Sequence, residues 1–338
     1  MTHVLIIGGT RFVGYLLAWR LLAAGHRVTL LNRGTRPDPF GNRIERLRAD
    51  RTAADFGLIL AQRQFDAVVD FAAYTGSDAR QVVEVLGGKI GHFVFISTGQ
   101  VYLVRRDCPR PSKESDYDGP TIPEPDQPLD KEEWLYGMNK RAAEDVLAQA
   151  WATSRFPATR LRLPMVNGER DHFRRIESYL WRILDGGPIL LPDGGTQPCR
   201  HVYGMDVVKA ICNLLLKPDT FGQAYNLCQD EQPTLSELVR LLADKVGAPA
   251  RTVSVAAARL AEHGLRSEDV SPFSDSWMSR LDAAKAKAQL GFQHEPVSQY
   301  LEKIITCFLA HTPAEPPASY AHRPVELLIA ADAERPIA

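Results

Sequence analysis

The sequence predicts an α/β fold in which a doubly wound parallel sheet is followed by a smaller, irregular α/β lobe. In 338 residues, short apolar runs alternate with segments of helical periodicity, as expected for strands that are joined by helical crossovers. A glycine-rich turn lies between the first apolar run and the first helical segment. Hydrophobic residues make up 45% of the chain and charged residues 24%, which is typical of a globular protein.

The elements of the first half follow one another in regular order. Val4-Leu5-Ile6-Ile7 reads as a strand that is buried on both faces. Leu17, Leu21 and their neighbours recur at helical spacing before Gly25 ends the helix. The same reasoning predicts strands at 4–7, 28–31, 67–71, 92–97 and 159–163, and helices at 12–24, 78–86 and 131–151. Residues 1–165 are therefore predicted to form a Rossmann-type dinucleotide-binding domain.

After Pro164 the pattern is less regular, and helices are predicted at 206–216, 236–246 and 282–290. Residues 201–225 are expected to return to the first domain, whereas 166–200 and 226–310 form the second, substrate-binding lobe. Prolines are frequent in two other stretches. We expect 105–130 to be a long loop that closes over the site, and 311–338 to be a surface tail.

Charge and composition exclude several functional classes. Lys and Arg total 40 and Asp and Glu total 41, so the net charge of −1 gives no field for nucleic acid or an anionic membrane. No apolar stretch reaches the roughly 20 residues of a membrane-spanning helix, and the start lacks a signal-peptide pattern, so a cytoplasmic protein is expected. The cysteines and histidines show no metal-ligand spacing, and no metal is predicted.

The turn Gly-Gly-Thr-Arg-Phe-Val-Gly14 has the context of a dinucleotide site, because a strand precedes it and a helix follows it. Gly8 permits the tight turn, Gly14 allows close packing of helix and strand, and the helix N-terminus receives a pyrophosphate. Arg11 stands where a middle glycine is usual, and its guanidinium can add a phosphate contact. The alternative is a turn without a ligand. The predicted cofactor residues here are Gly8, Thr10, Arg11, Phe12, Val13 and Gly14.

The end of the second strand distinguishes the two nicotinamide cofactors. NAD sites place a carboxylate there for the ribose hydroxyl, whereas NADP sites offer an arginine to the 2′-phosphate. This chain has Asn32 and Arg33, so NADP is predicted and NAD is the second choice. The alternative is that Arg33 is only a solvated turn residue. Asp50, after the third strand, is expected near the adenine.

Tyr136 and Lys140 lie four residues apart and therefore on one face of a helix. An ammonium beside a phenol is expected to lower the pKa of the tyrosine towards working pH. Such a tyrosine can exchange a proton with a substrate hydroxyl during hydride transfer. Ser97 and Thr98, at the end of a predicted strand, offer hydroxyls for the reacting oxygen.

These motifs together resemble the extended short-chain dehydrogenase/reductase family, which includes nucleotide-sugar epimerases and dehydratases. The matching features are Gly-Gly-Thr-Arg-Phe-Val-Gly14, Phe71-Ala72-Ala73, Ser97-Thr98-x-x-Val-Tyr102, Tyr136-Gly-x-Asn-Lys140, Leu161-Arg162 and His201-Val202 with Asp206. The resemblance implies that Thr98, Tyr136 and Lys140 are catalytic, that Ala72, Ala73, Ser97, Tyr136 and Lys140 contact the cofactor, and that the protein pairs as a homodimer. The Gly-Gly-Thr-Arg-Phe turn is most similar to a subgroup with plant chloroplast RNA-binding relatives.

Departures from the family pattern limit the prediction of substrate. The 4,6-dehydratases carry Asp-Glu where this chain has Gly99-Gln100, so dehydration is not expected. The usual diphosphate-binding arginines are absent from their places near Thr196 and at Pro272. Other arginines could replace them, or could be ordinary surface residues: Arg170, Arg174, Arg175 and Arg200. Asn167, Arg200 and His201 are the predicted substrate contacts.

Two functional hypotheses remain. The first is an NADP-dependent oxidoreductase or epimerase that acts on a hydroxyl or keto group of a sugar or sugar nucleotide, as the intact Thr98, Tyr136 and Lys140 set indicates. The second is a non-catalytic dinucleotide- or RNA-binding relative. The balanced charge and the lack of interleaved basic and aromatic residues weigh against RNA binding.

Overall fold

The structure, a computed structural model, describes residues 1–53, 55–61 and 63–333. The chain divides into two compact units. The first unit comprises Met1–Pro164, Gly204–Cys228 and Ser279–His294. The second comprises Met165–Tyr203, Gln229–Met278 and the residues from Glu295 onward. Within the described residues, no helix is both long and apolar enough to cross a lipid bilayer.

Strands and helices are numbered along the whole chain. The strands are β1 (His3–Ile7), β2 (Arg27–Asn32), β3 (Glu45–Arg48), β4 (Phe65–Asp70), β5 (Ile90–Thr98), β6 (Ala158–Leu163), β7 (Met165–Asn167), β8 (Ile189–Pro192), β9 (His201–Tyr203), β10 (Ala224–Asn226) and β11 (Thr252–Val255). The helices are α1 (Phe12–Ala23), α2 (Phe56–Ala61), α3 (Gly76–Leu86), α4 (Gln100–Leu103), α5 (Pro128–Ser154), α6 (Arg175–Leu184), α7 (Gly204–Leu214), α8 (Leu235–Val246), α9 (Ala257–Glu262), α10 (Ser267–Val270), α11 (Ala284–Leu290), α12 (Val297–Ala310) and α13 (Arg323–Ala333).

The first unit is built on a seven-stranded sheet of order β10-β6-β5-β4-β1-β2-β3, in which every neighbouring pair is parallel. Helices α3 and α5 pack against each other, as do α1 and α7. The central strands are apolar on both faces, because helices cover both sides of a doubly wound sheet. This arrangement confirms the predicted Rossmann-type α/β fold.

The strand order reverses at β1, and at this point the loops that follow β1 and β4 diverge. Because all the strands are parallel, their carboxyl ends lie at one edge of the sheet. Gly8, Asn32 and Thr98 therefore lie at the same edge, together with the loop that follows Asp70. A ligand site is expected at this edge of such a sheet.

The second unit contains two small parallel pairs, β7 with β9 and β8 with β11, surrounded by helices. Helix α8 begins with a capping box between Thr234 and Glu237 and ends at Gly247, which is in the left-handed conformation (φ 74°). A separate apolar core includes Leu190, Val253 and Ile329.

The prediction of a surface tail at 311–338 is wrong for residues 323–333, which form helix α13. Arg182 is buried and donates to both carboxylate oxygens of Glu326, with distances of 2.9 and 2.5 Å. Arg323 donates to Asp185 at 2.6 Å. Pro324 lies in the first turn of the helix, where a proline is tolerated because no hydrogen bond is lost. Residues 334–338 lie outside the described part.

Two other boundaries differ from expectation. Residues 279–294 belong to the first unit, although 226–310 was expected to lie in the second lobe. The proline-rich loop ends at Gln127 rather than 130, because Pro128 occupies the first turn of α5.

Candidate active site

The glycine-rich turn between β1 and α1 is closely packed. Gly8 has φ +89°, a conformation that favours glycine. A Cβ on Gly9 would lie 2.7 Å from side-chain carbons of Ile6 and Leu30, and one on Gly14 would lie 2.9 Å from the Cα of Gly9. The sequence analysis named Gly8 and Gly14 but missed the packing role of Gly9.

The turn forms one wall of a cavity of about 420 Å³ in the first unit. Its other walls come from the loops that follow β2, β3 and β4. Among the predicted cofactor residues, those that line it are Gly8, Thr10, Arg11, Asn32, Arg33, Asp50 and Ala72. Phe12, Val13 and Gly14 are buried in the first turns of α1. The structure thus brings these predicted residues around one cavity.

The cavity offers mainly hydrogen-bond donors and positive charge. Arg11, Arg33, Arg36 and Arg51 line it, against the carboxylates of Asp50 and Asp78. Asn32 accepts hydrogen bonds through Oδ1 from the Gly34 amide (2.8 Å) and from Arg48, while its buried Nδ2 has no partner within the described residues. Along the described chain, no side chain caps the first turn of α1, so its amides remain available to a phosphate. These features fit the phosphate groups of a dinucleotide.

Asp70, which the sequence analysis did not select, orders the loop after β4. Its buried carboxylate accepts from the amides of Ala72 and Ala73 at 2.8 and 2.9 Å and forms an ion pair with Arg51. This fixes one wall of the cavity and holds the Arg51 guanidinium against it. An aspartate at the end of a buried strand, with two alanines shortly after it, was the available sequence signal.

The predicted catalytic residues lie together at the end of β5 and on α5. The Thr98 side chain lies close enough to the Tyr136 phenol to lower its pKa. Lys140 is buried, and its Nζ donates to the carbonyl oxygens of Ala73 and Ile96, at 2.8 Å each. Its Nζ lies 4.7 Å from the ring centroid of Tyr74 and 6.0 Å from that of Tyr136.

The expected lowering of the Tyr136 pKa by Lys140 was wrong for the chain without a bound cofactor. Burial raises the pKa of Tyr136 above its ordinary value, and the nearby Thr98 side chain opposes this only in part. Burial also lowers the pKa of Lys140 to about 8, against the opposing effect of the Asp70 and Glu144 carboxylates. The physical reason is desolvation: the ammonium is directed at two backbone carbonyls, and both side chains are largely removed from water.

Ser97 and Thr98 point in different directions, as successive strand residues must. The Ser97 hydroxyl donates to Glu144 at 2.6 Å in a buried network. In this network Arg162 donates to Glu144 and also to the hydroxyl of Tyr102, both at 2.6 Å. Thr98 rather than Ser97 therefore has its hydroxyl beside Tyr136. The catalytic role of Thr98 and a cofactor contact of Ser97 stay predictions.

The predicted substrate residues lie in the second unit. Asn167 and His201 are buried, and Asn167 Nδ2 lies 3.4 Å from His201 Nδ1. The Tyr300 hydroxyl lies 2.5 Å from the same nitrogen. Arg200 donates to the carbonyl oxygen of Met278 at 2.6 Å. Their contact with a substrate stays a prediction. Within the described residues, no cluster of His, Cys, Asp or Glu has the arrangement of a metal site.

Comparison with known proteins gives one family match. The NAD dependent epimerase/dehydratase family matches residues 4–228. The chain is 25% identical to the chloroplast stem-loop binding protein of 41 kDa b from Arabidopsis thaliana, over 73% of this chain and 64% of that protein. It is 26% identical to 2′-dehydrokanamycin reductase from Streptomyces kanamyceticus, over 77% of this chain and 71% of that protein.

Solved structures show the same fold. UDP-glucose 4-epimerase from Thermotoga maritima, solved with UDP-glucose, superimposes with a TM-score of 0.72. The superposition covers 92% of this chain and 100% of the epimerase chain, at 18% sequence identity. At this identity the likeness concerns the fold.

Proposed function

The chain belongs to the NAD dependent epimerase/dehydratase family, and we propose that it is an NADP(H)-dependent oxidoreductase that reduces a keto group of a sugar. The observation that carries this proposal is the placement of Thr98 and Lys140 beside Tyr136, with the Lys140 Nζ 6.0 Å from the centroid of the Tyr136 ring. The reductase from Streptomyces kanamyceticus, whose name describes reduction of a 2′-keto antibiotic, supports a sugar ketone as the substrate class.

The cofactor cavity supports NADP over NAD. NAD sites use a carboxylate acceptor at the end of β2 for the ribose hydroxyls. Here Asn32 presents an Nδ2 donor that has no partner among the described residues, and Arg33 and Arg36 follow it at the cavity wall. Asp50 lies 3.9 Å from Arg33 and neutralises only part of this charge. Guanidinium groups pair well with phosphate, so a 2′-phosphate is the better match.

The proposed reaction is ketone plus NADPH plus a proton giving alcohol plus NADP. Held by the residues that line the cavity, the cofactor would supply the two electrons as a hydride. Thr98 donates a hydrogen bond to the carbonyl oxygen, and Tyr136 transfers its phenolic proton to that oxygen. Lys140, fixed by the Ala73 and Ile96 carbonyls, places a positive charge beside the phenolate that remains.

The packing around Gly99 supports the exclusion of dehydration. A Cβ on residue 99 would lie 2.5 Å from the Cβ of Ser279 and 3.1 Å from the Leu281 side chain. An aspartate, the residue expected there in the 4,6-dehydratases, therefore has no room. Reduction and epimerisation need only Thr98, Tyr136 and Lys140. An epimerase would retain its cofactor through purification, whereas a reductase exchanges it in each cycle.

The test is turnover of NADPH against a panel of keto sugars and oxidised aminoglycosides, with Tyr136→Phe as the comparison. We expect wild type to consume NADPH, and Tyr136→Phe to lose at least about a hundredfold in kcat because the proton donor is gone. Cofactor binding should be retained, so that the loss of turnover reports the proton donor. Equal turnover by Tyr136→Phe would contradict the assignment of the proton donor.

A second candidate function is stem-loop binding, which the resemblance to the chloroplast protein favours. The net charge of −1 weighs against it, since binding to a phosphate backbone depends on a basic surface. A gel-shift titration with an RNA stem-loop at two salt concentrations distinguishes the two. Tight binding that weakens steeply with salt would support this candidate, and no binding at micromolar protein would remove it.

A further inference from the structure

The side-chain amide of Asn32, at the end of β2, has a fixed orientation. Its Oδ1 accepts hydrogen bonds from the Gly34 amide at 2.8 Å and from the Arg48 guanidinium. Both of these groups can only donate, so the atom that they share must be the amide oxygen. The Nδ2 group of Asn32 is buried and has no partner among the described residues. Since Asn32 lines the cavity, the group that it can offer a ligand is a donor.

Arg48 reaches Asn32 from the neighbouring strand, since the two residues are paired in register across β2 and β3. Its side chain lies against Gly34, where an added Cβ would lie 3.0 Å from Arg48 Cδ and 3.1 Å from Nε. Gly34 has φ +76°, a conformation that favours glycine. The glycine therefore allows the turn and also leaves room for the Arg48 side chain. Asn32 lines the cavity, whereas Arg48 is not among the described residues that do.

The orientation of the Asn32 amide bears on the choice of cofactor. A ribose with free hydroxyls is bound in NAD sites by a carboxylate, which accepts from them. A 2′-phosphate carries close to two negative charges at neutral pH, and its oxygens need donors. A fixed Nδ2 donor beside Arg33 meets this need, whereas a rotated amide would turn its oxygen towards the phosphate.

We propose that Arg48 is a positioning residue for cofactor selection, which fixes the Asn32 amide with its donor available to a 2′-phosphate. This inference rests on the proposed function, because it assigns a residue to the preference for NADP. Gly34 alone would hold the amide by one neutral hydrogen bond, and Arg48 adds one that is assisted by charge. The guanidinium also polarises the amide, which strengthens Nδ2 as a donor.

The experiment is calorimetric titration of the full-length protein with NADPH and with NADH. Arg48→Met keeps an unbranched side chain against Gly34 but cannot donate to Asn32. Arg20→Met, at an exposed position on α1, removes the same charge and is the matched control. We expect Arg48→Met to lower the ratio of NADPH affinity to NADH affinity about two- to fivefold, the effect of weakening one hydrogen bond to a charged group. Arg20→Met should keep the wild-type ratio.

The same titrations with Asn32→Ala and with the double variant show whether Arg48 acts through Asn32. Without the asparagine, Arg48→Met should leave the affinity ratio unchanged. An equal fall of the ratio in both backgrounds would mean that Arg48 acts on the phosphate by itself, and this would overturn the inference. A wild-type ratio in Arg48→Met would overturn it as well.

The Asn32 amide also gives a readout that needs no nucleotide. In protein that carries isotope-labelled asparagine, Asn32→Ala assigns the NMR signal of the Asn32 Nδ2 group. We expect this signal to move in Arg48→Met and to keep its position in Arg20→Met. An unmoved signal in Arg48→Met would show that Arg48 does not hold the amide. Failure of the proposed function appears separately, because wild type would then bind neither nucleotide.

Discussion

Single residues decide the chemistry of the site, and those with a motif could be found from the sequence. Tyr136 and Lys140 lie together as their spacing predicted, since a four-residue interval on a helix fixes a common face. Thr98, which the family resemblance selected, lies beside Tyr136. The direction in which the pKa of Tyr136 is shifted could not be predicted from the sequence. It depends on burial and on where the Lys140 ammonium points, and both are set by residues distant in sequence.

Arg36 and Arg51, which line the cavity of the first unit, could not be predicted from the sequence either. Arg33 was found because it follows directly on a recognisable strand end. Arg51 reaches the cavity wall through an ion pair with Asp70, and Arg36 through the course of an irregular turn. Neither contact has a local sequence signature, because both depend on how the loops after β2 and β3 fold over the sheet edge.

Gly99 provides a stability prediction at the residue scale. Its φ of −68° suits any residue, so the restriction is steric and comes from Ser279 and Leu281. We expect Gly99→Ala to lower the free energy of unfolding by about 1–3 kcal/mol through overpacking. Urea denaturation of Gly99→Ala, Ser279→Gly and the double variant measures the coupling between them.

In this double-mutant comparison, Gly99→Ala should lower the free energy of unfolding much less when residue 279 is glycine, because the Cβ and Oγ of Ser279 that collide with the alanine are then absent. A cost that is the same in both backgrounds would show that the contact with Ser279 does not restrict position 99.

At the scale of elements, predictability followed the length and regularity of each segment. Strands β1, β2, β4, β5 and β6 were predicted because buried parallel strands are continuous apolar runs. The strands of the second unit have three or four residues and carry no periodicity of their own. Helix α13 was missed since the prolines before it suggested a tail, whereas the buried Arg182–Glu326 pair can be recognised only in the fold.

His92, inside β5, provides a prediction of pH dependence. Burial lowers its pKa from 6.5 to about 3, and its ring contacts Thr159 and accepts from the Leu216 amide. In the unfolded state this histidine takes up a proton below about pH 6.5, whereas in the folded state it stays neutral until the pH approaches 3. The free energy of unfolding is therefore fully retained above about pH 6.5 and decreases as the pH falls towards 3. Between about pH 7 and pH 5 this amounts to about 2 kcal/mol.

The measurement is the free energy of unfolding in urea at these two pH values. His92→Gln, which cannot gain a charge, should lose about 2 kcal/mol less than wild type on acidification, although it is less stable at neutral pH. His263→Gln, at an exposed position, is the control and should follow wild type. Equal losses in wild type and His92→Gln would contradict a buried neutral histidine.

At the scale of the whole molecule, the first unit contains the cavity proposed for the cofactor and Tyr136, the proposed proton donor, at the carboxyl edge of one sheet. The family match spans most of this unit, including its return segment up to residue 228. The second unit carries the predicted substrate residues Asn167, Arg200 and His201. Its sequence is where the chain departs from the epimerase pattern, so substrate identity was the part that the sequence could not predict.

The most direct test of the proposed function is calorimetric titration of the full-length protein with NADPH and, separately, with NADH. We expect NADPH to bind at micromolar concentration or better and at least about tenfold more tightly than NADH, because Arg33 and Arg36 pair with the 2′-phosphate. Arg33→Ala with Arg36→Ala should remove most of that preference and leave NADH affinity unchanged. Equal or tighter binding of NADH would contradict the choice of cofactor, and failure of both nucleotides to bind at micromolar concentration would contradict the enzymatic function itself.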